Sequence, residues 1–156
     1  MKPKFYDCLK YWRVIRQWVK VRYKLNQSDL DMLLFLYSEE YFKRSDFEKF
    51  DNILTWDERR FDGLLSRGFI EKYRKEYGRQ PAVYRLSYSC KRMIYSIYQK
   101  LSGEDIPENK TNNPMFHRRV SFTDKVFRNY ISKLNAERKA ARIAPTEQEQ
   151  HLSPEL

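Results

Sequence analysis

A chain of 156 residues with 31 Lys/Arg against 21 Asp/Glu has single-domain length and a net charge of +10, which predicts an acidic partner. An apolar share of 41% with 3 Trp, 12 Tyr and 10 Phe excludes a disordered chain, and only 4 Gly and 6 Pro exclude a collagen-like or loop-built one. The longest apolar run, Met32–Tyr37, falls far short of the roughly 20 residues of a membrane span, and no apolar segment follows Met1-Lys-Pro-Lys, so a soluble, cytoplasmic protein without a membrane partner is expected.

The first element predicted is a long helix over about 4–24. Its stripe is Phe5, Leu9, Trp12, Ile15 and Val19, flanked by Cys8, Tyr11 and Trp18, with Lys10, Arg13, Arg16, Lys20 and Lys24 outside. A stripe so broad and aromatic suits packing against more than one neighbour, a second subunit included. Three capping boxes then mark helix starts: Ser28-Asp-Leu-Asp31, Ser45-Asp-Phe-Glu48 and Thr55-Trp-Asp-Glu58. The first opens a stripe of Leu30, Leu33, Leu34, Tyr37 and Tyr41. The second leads to Phe47 and Phe50 and a turn at Asp51-Asn52. The third leads to Phe61, Leu64 and Leu65, stopped by Gly68.

Beyond Gly68 the pattern becomes a β-hairpin, with strands over 69–74 and 82–86 joined by Lys75 to Pro81 around Gly78. Ser87 or Ser89 caps a further helix with Ile94, Ile97, Tyr98 and Leu101 on its stripe. Residues 102–120 read as a linker or long loop, and a last helix from about Ser121 has Phe122, Val126, Tyr130 and Leu134 inward, with Phe127 and Ile131 beside them. Pro145 ends it, and 145–156 reads as a flexible polar tail.

Catalytic parts are missing from this pattern. Cys8 and Cys90 form no Cys-x-x-Cys and read as reduced, buried small residues; His117 and His151 stand far apart. No phosphate loop, nucleophile elbow or dinucleotide fingerprint occurs, so neither cofactor nor metal is expected and the chain is read as non-enzymatic.

Helices, basic hairpin, helix, long connection, helix is an order that resembles the MarR-like winged helix-turn-helix proteins over about 5–135. The best local match is Leu64-Leu65-Ser66-Arg67-Gly68-Phe69-Ile70-Glu71-Lys72, similar to the family's passage from recognition helix into wing, and Tyr84-Arg85-Leu86-Ser87 is similar to its return strand. The family's Asp-x-Arg wing motif is replaced by Glu76-Tyr77-Gly78-Arg79. Asn113-Pro-Met-Phe116 with Ser121 and Asp124-Lys125 resembles small proteins of this type in tailed phages. The resemblance implies a mainly α fold with a small hairpin, a single domain over 1–144 and a winged-helix core of about 26–87. It also implies dimerisation helices at about 4–24, 88–101 and 121–144, a homodimer meeting through Phe5, Leu9, Trp12, Ile15, Val19, Phe122, Val126, Phe127 and Tyr130, and binding to double-stranded DNA as a transcription regulator.

The charge pattern tests that implication. Residues 26–67 carry 6 Lys/Arg against 10 Asp/Glu, a poor balance for a DNA reader. On a helical wheel through Phe61, however, Asp57 and Glu58 fall over the buried side, while Thr55, Trp56, Arg59, Arg60, Gly63, Ser66 and Arg67 form an outward face suited to a major groove. The hairpin adds Lys72, Arg74, Lys75 and Arg79 for phosphates or a minor groove. The alternative is a phage virion or host-interaction protein that uses the same fold to dock an acidic protein.

Overall fold

The structure, a computed structural model, describes residues 8–54 and 57–143. Among them are six α-helices and one antiparallel hairpin: α1 Cys8–Tyr23, α2 Gln27–Leu36, α3 Arg44–Leu54, α4 Glu58–Ser66, β1 Ile70–Arg74, β2 Val83–Leu86, α5 Tyr88–Leu101 and α6 Phe122–Ile143. The mostly helical fold with a small hairpin agrees with the sequence reading. No described helix is long and apolar enough to cross a membrane. The chain divides into two compact units, Tyr23–Gln99 and Met1–Arg22 with Lys100–Leu156.

Within Tyr23–Gln99 the helix starts are set by different residues from those expected. α2 is capped by Asn26, whose side-chain oxygen accepts from the Asp29 N–H at 2.8 Å, so Ser28 lies inside the first turn. The helix ends at Leu36. Met32 and Leu36 join Leu30 and Leu33 in the core, while Tyr37 and Tyr41 lie beyond the helical phase and are exposed. α3 starts one residue before Ser45, at Arg44, where the Asp46 carboxylate accepts from the Lys43 N–H at 2.8 Å. It runs through Asp51-Asn52 to Leu54, so no turn interrupts it there. α4 is capped by Asp57, which accepts from the Arg60 N–H at 2.9 Å, and begins at Glu58; Thr55 and Trp56, the first two residues of the expected box, lie outside the described residues.

The stop at Gly68 is as expected and its mechanism is visible. Phe69 N–H donates to the Leu64 carbonyl and Gly68 N–H to that of Leu65, a Schellman closure that needs the left-handed φ of +81° at Gly68. The chain passes directly into β1, which pairs Ile70 with Leu86, Glu71 with Arg85 and Lys72 with Tyr84, with a register shift before Arg74 pairs Val83. On its other edge β2 accepts Phe42, whose N–H and carbonyl exchange hydrogen bonds with Tyr84 at 3.0 and 2.8 Å. Phe42, Phe47, Phe61 and Tyr84 stack edge to face with centroids 4.7–6.4 Å apart, the aromatic centre of this unit. Ser87 caps α5, accepting from the Cys90 N–H at 3.2 Å. The buried face of α5 is Cys90, Met93, Ile94 and Ile97; Tyr98 is exposed and Leu101 half-buried, because the expected stripe began one turn late.

The other unit joins α1, α6 and the connection between α5 and α6. Val14, Ile15, Trp18 and Val19 are the buried residues of α1. The connection over 102–120 is a packed segment instead of a plain linker: Ile106 and Met115 are core residues, and Asn113 caps a short 3₁₀ turn at Pro114–Phe116. Trp18 Nε1 donates to the Asn112 carbonyl at 3.0 Å. Asn135 accepts from the Ile106 N–H at 3.0 Å and donates to its carbonyl at 2.7 Å, and Arg138 donates to the Glu104 carbonyl at 2.6 Å. These bonds fix which side of α6 is inward. It is Ile131, Leu134, Asn135 and Arg138, so Phe122, Val126 and Tyr130 face outward, against the expected stripe. Cys90 is buried as expected, its thiol pushed up to about 12 by burial, but Cys8 is exposed.

Candidate nucleic-acid interface

α4 and the hairpin hold the residues singled out for DNA, and they differ in how free those residues are. Thr55 and Trp56 lie outside the described residues. Asp57 and Glu58 are exposed, not turned over the buried side, because the helix starts at Glu58 and leaves Asp57 as an extended cap at φ −112°. Phe61 and Leu64 anchor the inner face, and Arg59, Asp62 and Ser66 are exposed.

Of the two α4 arginines and the C-cap Arg67, two are engaged. The Arg60 guanidinium donates to the Asn26 side-chain oxygen and to the Asp29 carboxylate, each at 3.3 Å. Arg67 donates to the Tyr23 and Lys24 carbonyls, both at 2.9 Å, at the end of α1 where a cation complements the helix dipole, and it stacks over Phe69 at 5.0 Å. Ser66 spends its hydroxyl on the Gly63 carbonyl at 3.0 Å. Arg59 forms no ion pair among the described residues. The three arginines and Gly63 border one shallow groove of about 280 Å³ together with Asp29 and Asp57, so the local field there is nearly balanced.

Arg44 has a part in this face that the sequence reading missed. It donates to the Asp62 carboxylate at 2.6 Å while lying over Phe61 at 4.5 Å, and its hydrogen bonds to the Tyr84 hydroxyl and then to Asp62 raise its pKa. The pair neutralises the acid beside Arg59. Eighteen positions separate its partners in sequence, so no local spacing rule could announce it.

In the hairpin, Lys72 pairs with Glu76 at 3.1 Å, and that bond adds to one from the Glu76 N–H in holding the Glu76 carboxyl below its usual range. Arg85 pairs with Glu71 at 2.7 Å and lies over Tyr73. Tyr77 and Gln80 close a two-residue turn with reciprocal bonds of 3.1 and 2.9 Å; Gly78 takes φ +57° at its first central position, which puts Arg79 at the tip. Arg74, Lys75 and Arg79 are exposed and form no ion pair among the described residues. Among the described residues the hairpin tip therefore carries the positive charge outside any ion pair that α4 mostly lacks.

The residues expected at a subunit interface divide into three groups. Phe5 lies outside the described residues. Leu9 is 86% exposed, and Phe122, Val126 and Tyr130 are exposed as well, with Trp12 and Phe127 half-buried. Ile15 and Val19 are fully enclosed by the chain itself, so they are core residues that no partner could meet. Compared with known proteins, the chain matches no family model, no curated protein and no solved structure.

Proposed function

We propose that the chain is a winged-helix protein that binds double-stranded DNA as a transcription regulator, with α4 toward the major groove and the hairpin as a wing on the backbone or minor groove. The observation that carries this reading is the hairpin tip, where a two-residue turn presents Arg79 beside Arg74 and Lys75, none of which forms an ion pair among the described residues. Three phosphate contacts from the tip would by themselves cost about 40-fold in affinity between 50 and 200 mM salt. On α4, Arg59 is the cation left to meet base edges, and Arg60 and Arg67 serve the fold. Anisotropy titration of a random duplex across that salt range tests the reading; flat affinity, or no binding at the low-salt end, would reject it.

A second reading, a virion or host-interaction protein that uses this fold to dock another protein, is favoured by the exposed tyrosines Tyr77, Tyr88, Tyr95 and Tyr98. A chain that ignores DNA would follow this reading.

A further inference from the structure

The positive charge of the chain is concentrated outside the hairpin unit. Residues 23–99 hold fourteen Lys/Arg against twelve Asp/Glu, whereas residues 1–22 with 100–156 hold seventeen against nine. In that second unit, α1 and α6 border a concave groove of about 500 Å³. Lys10, Arg13 and Val14 line it at i, i+3 and i+4 of α1, and Phe122, Val126 and Tyr130 at i, i+4 and i+8 of α6. Among the described residues that line it there is no carboxylate. Phe122 is 81% exposed and Val126 51%, so bulky apolar groups stand in water beside two cations.

Two helix ridges with an apolar trough between them form a seat for a third helix, whose side chains at i, i+3, i+4 and i+7 fill the trough. Charge decides which helix. A second copy of this chain would bring its own Lys10 and Arg13, on a unit with seventeen Lys/Arg against nine Asp/Glu, against the same groups, and like charges brought together oppose docking. A helix with carboxylates flanking its apolar stripe neutralises them. We propose that the α1–α6 groove is a docking site for an acidic amphipathic helix of a partner protein, with apolar anchors on Val14, Phe122 and Val126 and carboxylates on Lys10 and Arg13. This site does not rest on the DNA reading, since none of its residues belongs to α4 or the hairpin.

The probe is a labelled peptide of about eighteen residues with Leu at the helical anchor spacing and Glu elsewhere, titrated by anisotropy against the full chain. Binding is expected, with affinity falling about tenfold or more for Arg13→Glu and, independently, for Val126→Glu. Both side chains are exposed, so circular dichroism should show both variants folded as the parent is. Lys75→Ala with Arg79→Ala should leave peptide affinity unchanged while weakening DNA binding, which separates failure of this site from failure of the DNA reading. Absence of peptide binding, equal binding of a scrambled peptide, loss of binding in the hairpin variant, or a preference for phosphatidylserine vesicles over the peptide would overturn the proposal. So would sedimentation showing a dimer that Val126→Glu dissolves, since the groove would then belong to a second copy.

Discussion

The Arg60 guanidinium reaches the Asp29 carboxylate at 3.3 Å, and the Asn26 oxygen that caps α2 lies at the same distance, so α4 is clipped to the first turn of α2. The pair is partly exposed, and screening limits its worth to about 0.5–1 kcal/mol. Arg60→Ala should therefore lower stability by about that amount in urea denaturation and leave sequence preference among duplexes intact. Arg59→Ala should do the reverse, with unchanged stability and about 1–3 kcal/mol of lost discrimination at the base it contacts. If both variants lost sequence preference equally, Arg60 would be a reader and not a clip.

Gly63 sits in the middle of α4, and a Cβ built there meets nothing within 4 Å. No packing inside the protein requires a glycine, which costs a helix interior roughly 1 kcal/mol relative to alanine. Gly63→Ala is expected to stabilise the protein by about 0.5–1 kcal/mol and to weaken duplex binding, because the added methyl group stands where a groove wall would approach. Unchanged duplex affinity in a stabilised variant would show that no backbone comes close to this turn of the helix.

Asn135 satisfies both backbone groups of the buried Ile106 with one side chain. Asn135→Ala leaves a buried N–H and a buried carbonyl unpaired, at about 1–3 kcal/mol each. Denaturation should show a loss of about 2–6 kcal/mol, and hydrogen exchange at the Ile106 amide should accelerate more than exchange in the hairpin.

The order of elements, the hairpin and the Gly68 stop were legible in the sequence because each rests on local chemistry: 3.6-residue periodicity, alternating β-formers, and a residue free to take positive φ. The helix caps were misplaced because Asn26, Asp46 and Asp57 do the capping one or two residues from a hydroxyl that fits the same motif. The inward side of α6 was misread because the apolar arc of its first half is broad, running from Phe122 and Val126 through Tyr130 to Phe127 and Ile131; the decision falls to Asn135 and Arg138 gripping a connection that reads as loop. For the candidate interface, residue identities were legible but availability was not. Arg60, Arg67 and Arg59 look alike on a wheel, and only partners 31 to 44 positions away distinguish the engaged pair from Arg59, which forms no ion pair among the described residues.

The two cysteines should differ in reactivity. Cys8 is exposed, whereas Cys90 is buried with its thiol pushed up to about 12, so its thiolate is scarce at any ordinary pH. Iodoacetamide at pH 8 should label Cys8 alone in the native protein and both residues in denaturant. Native labelling of Cys90 would contradict the packing described for α5.

The central claim is that the hairpin tip anchors the chain to DNA phosphates, and the slope of log affinity against log salt measures that anchor most directly. Lys75→Ala with Arg79→Ala should make the slope shallower by about two phosphate contacts, close to 1.8 in log units, and weaken a selected site and a scrambled duplex alike. An unchanged slope in the double variant, or a loss confined to the selected site, would contradict the account.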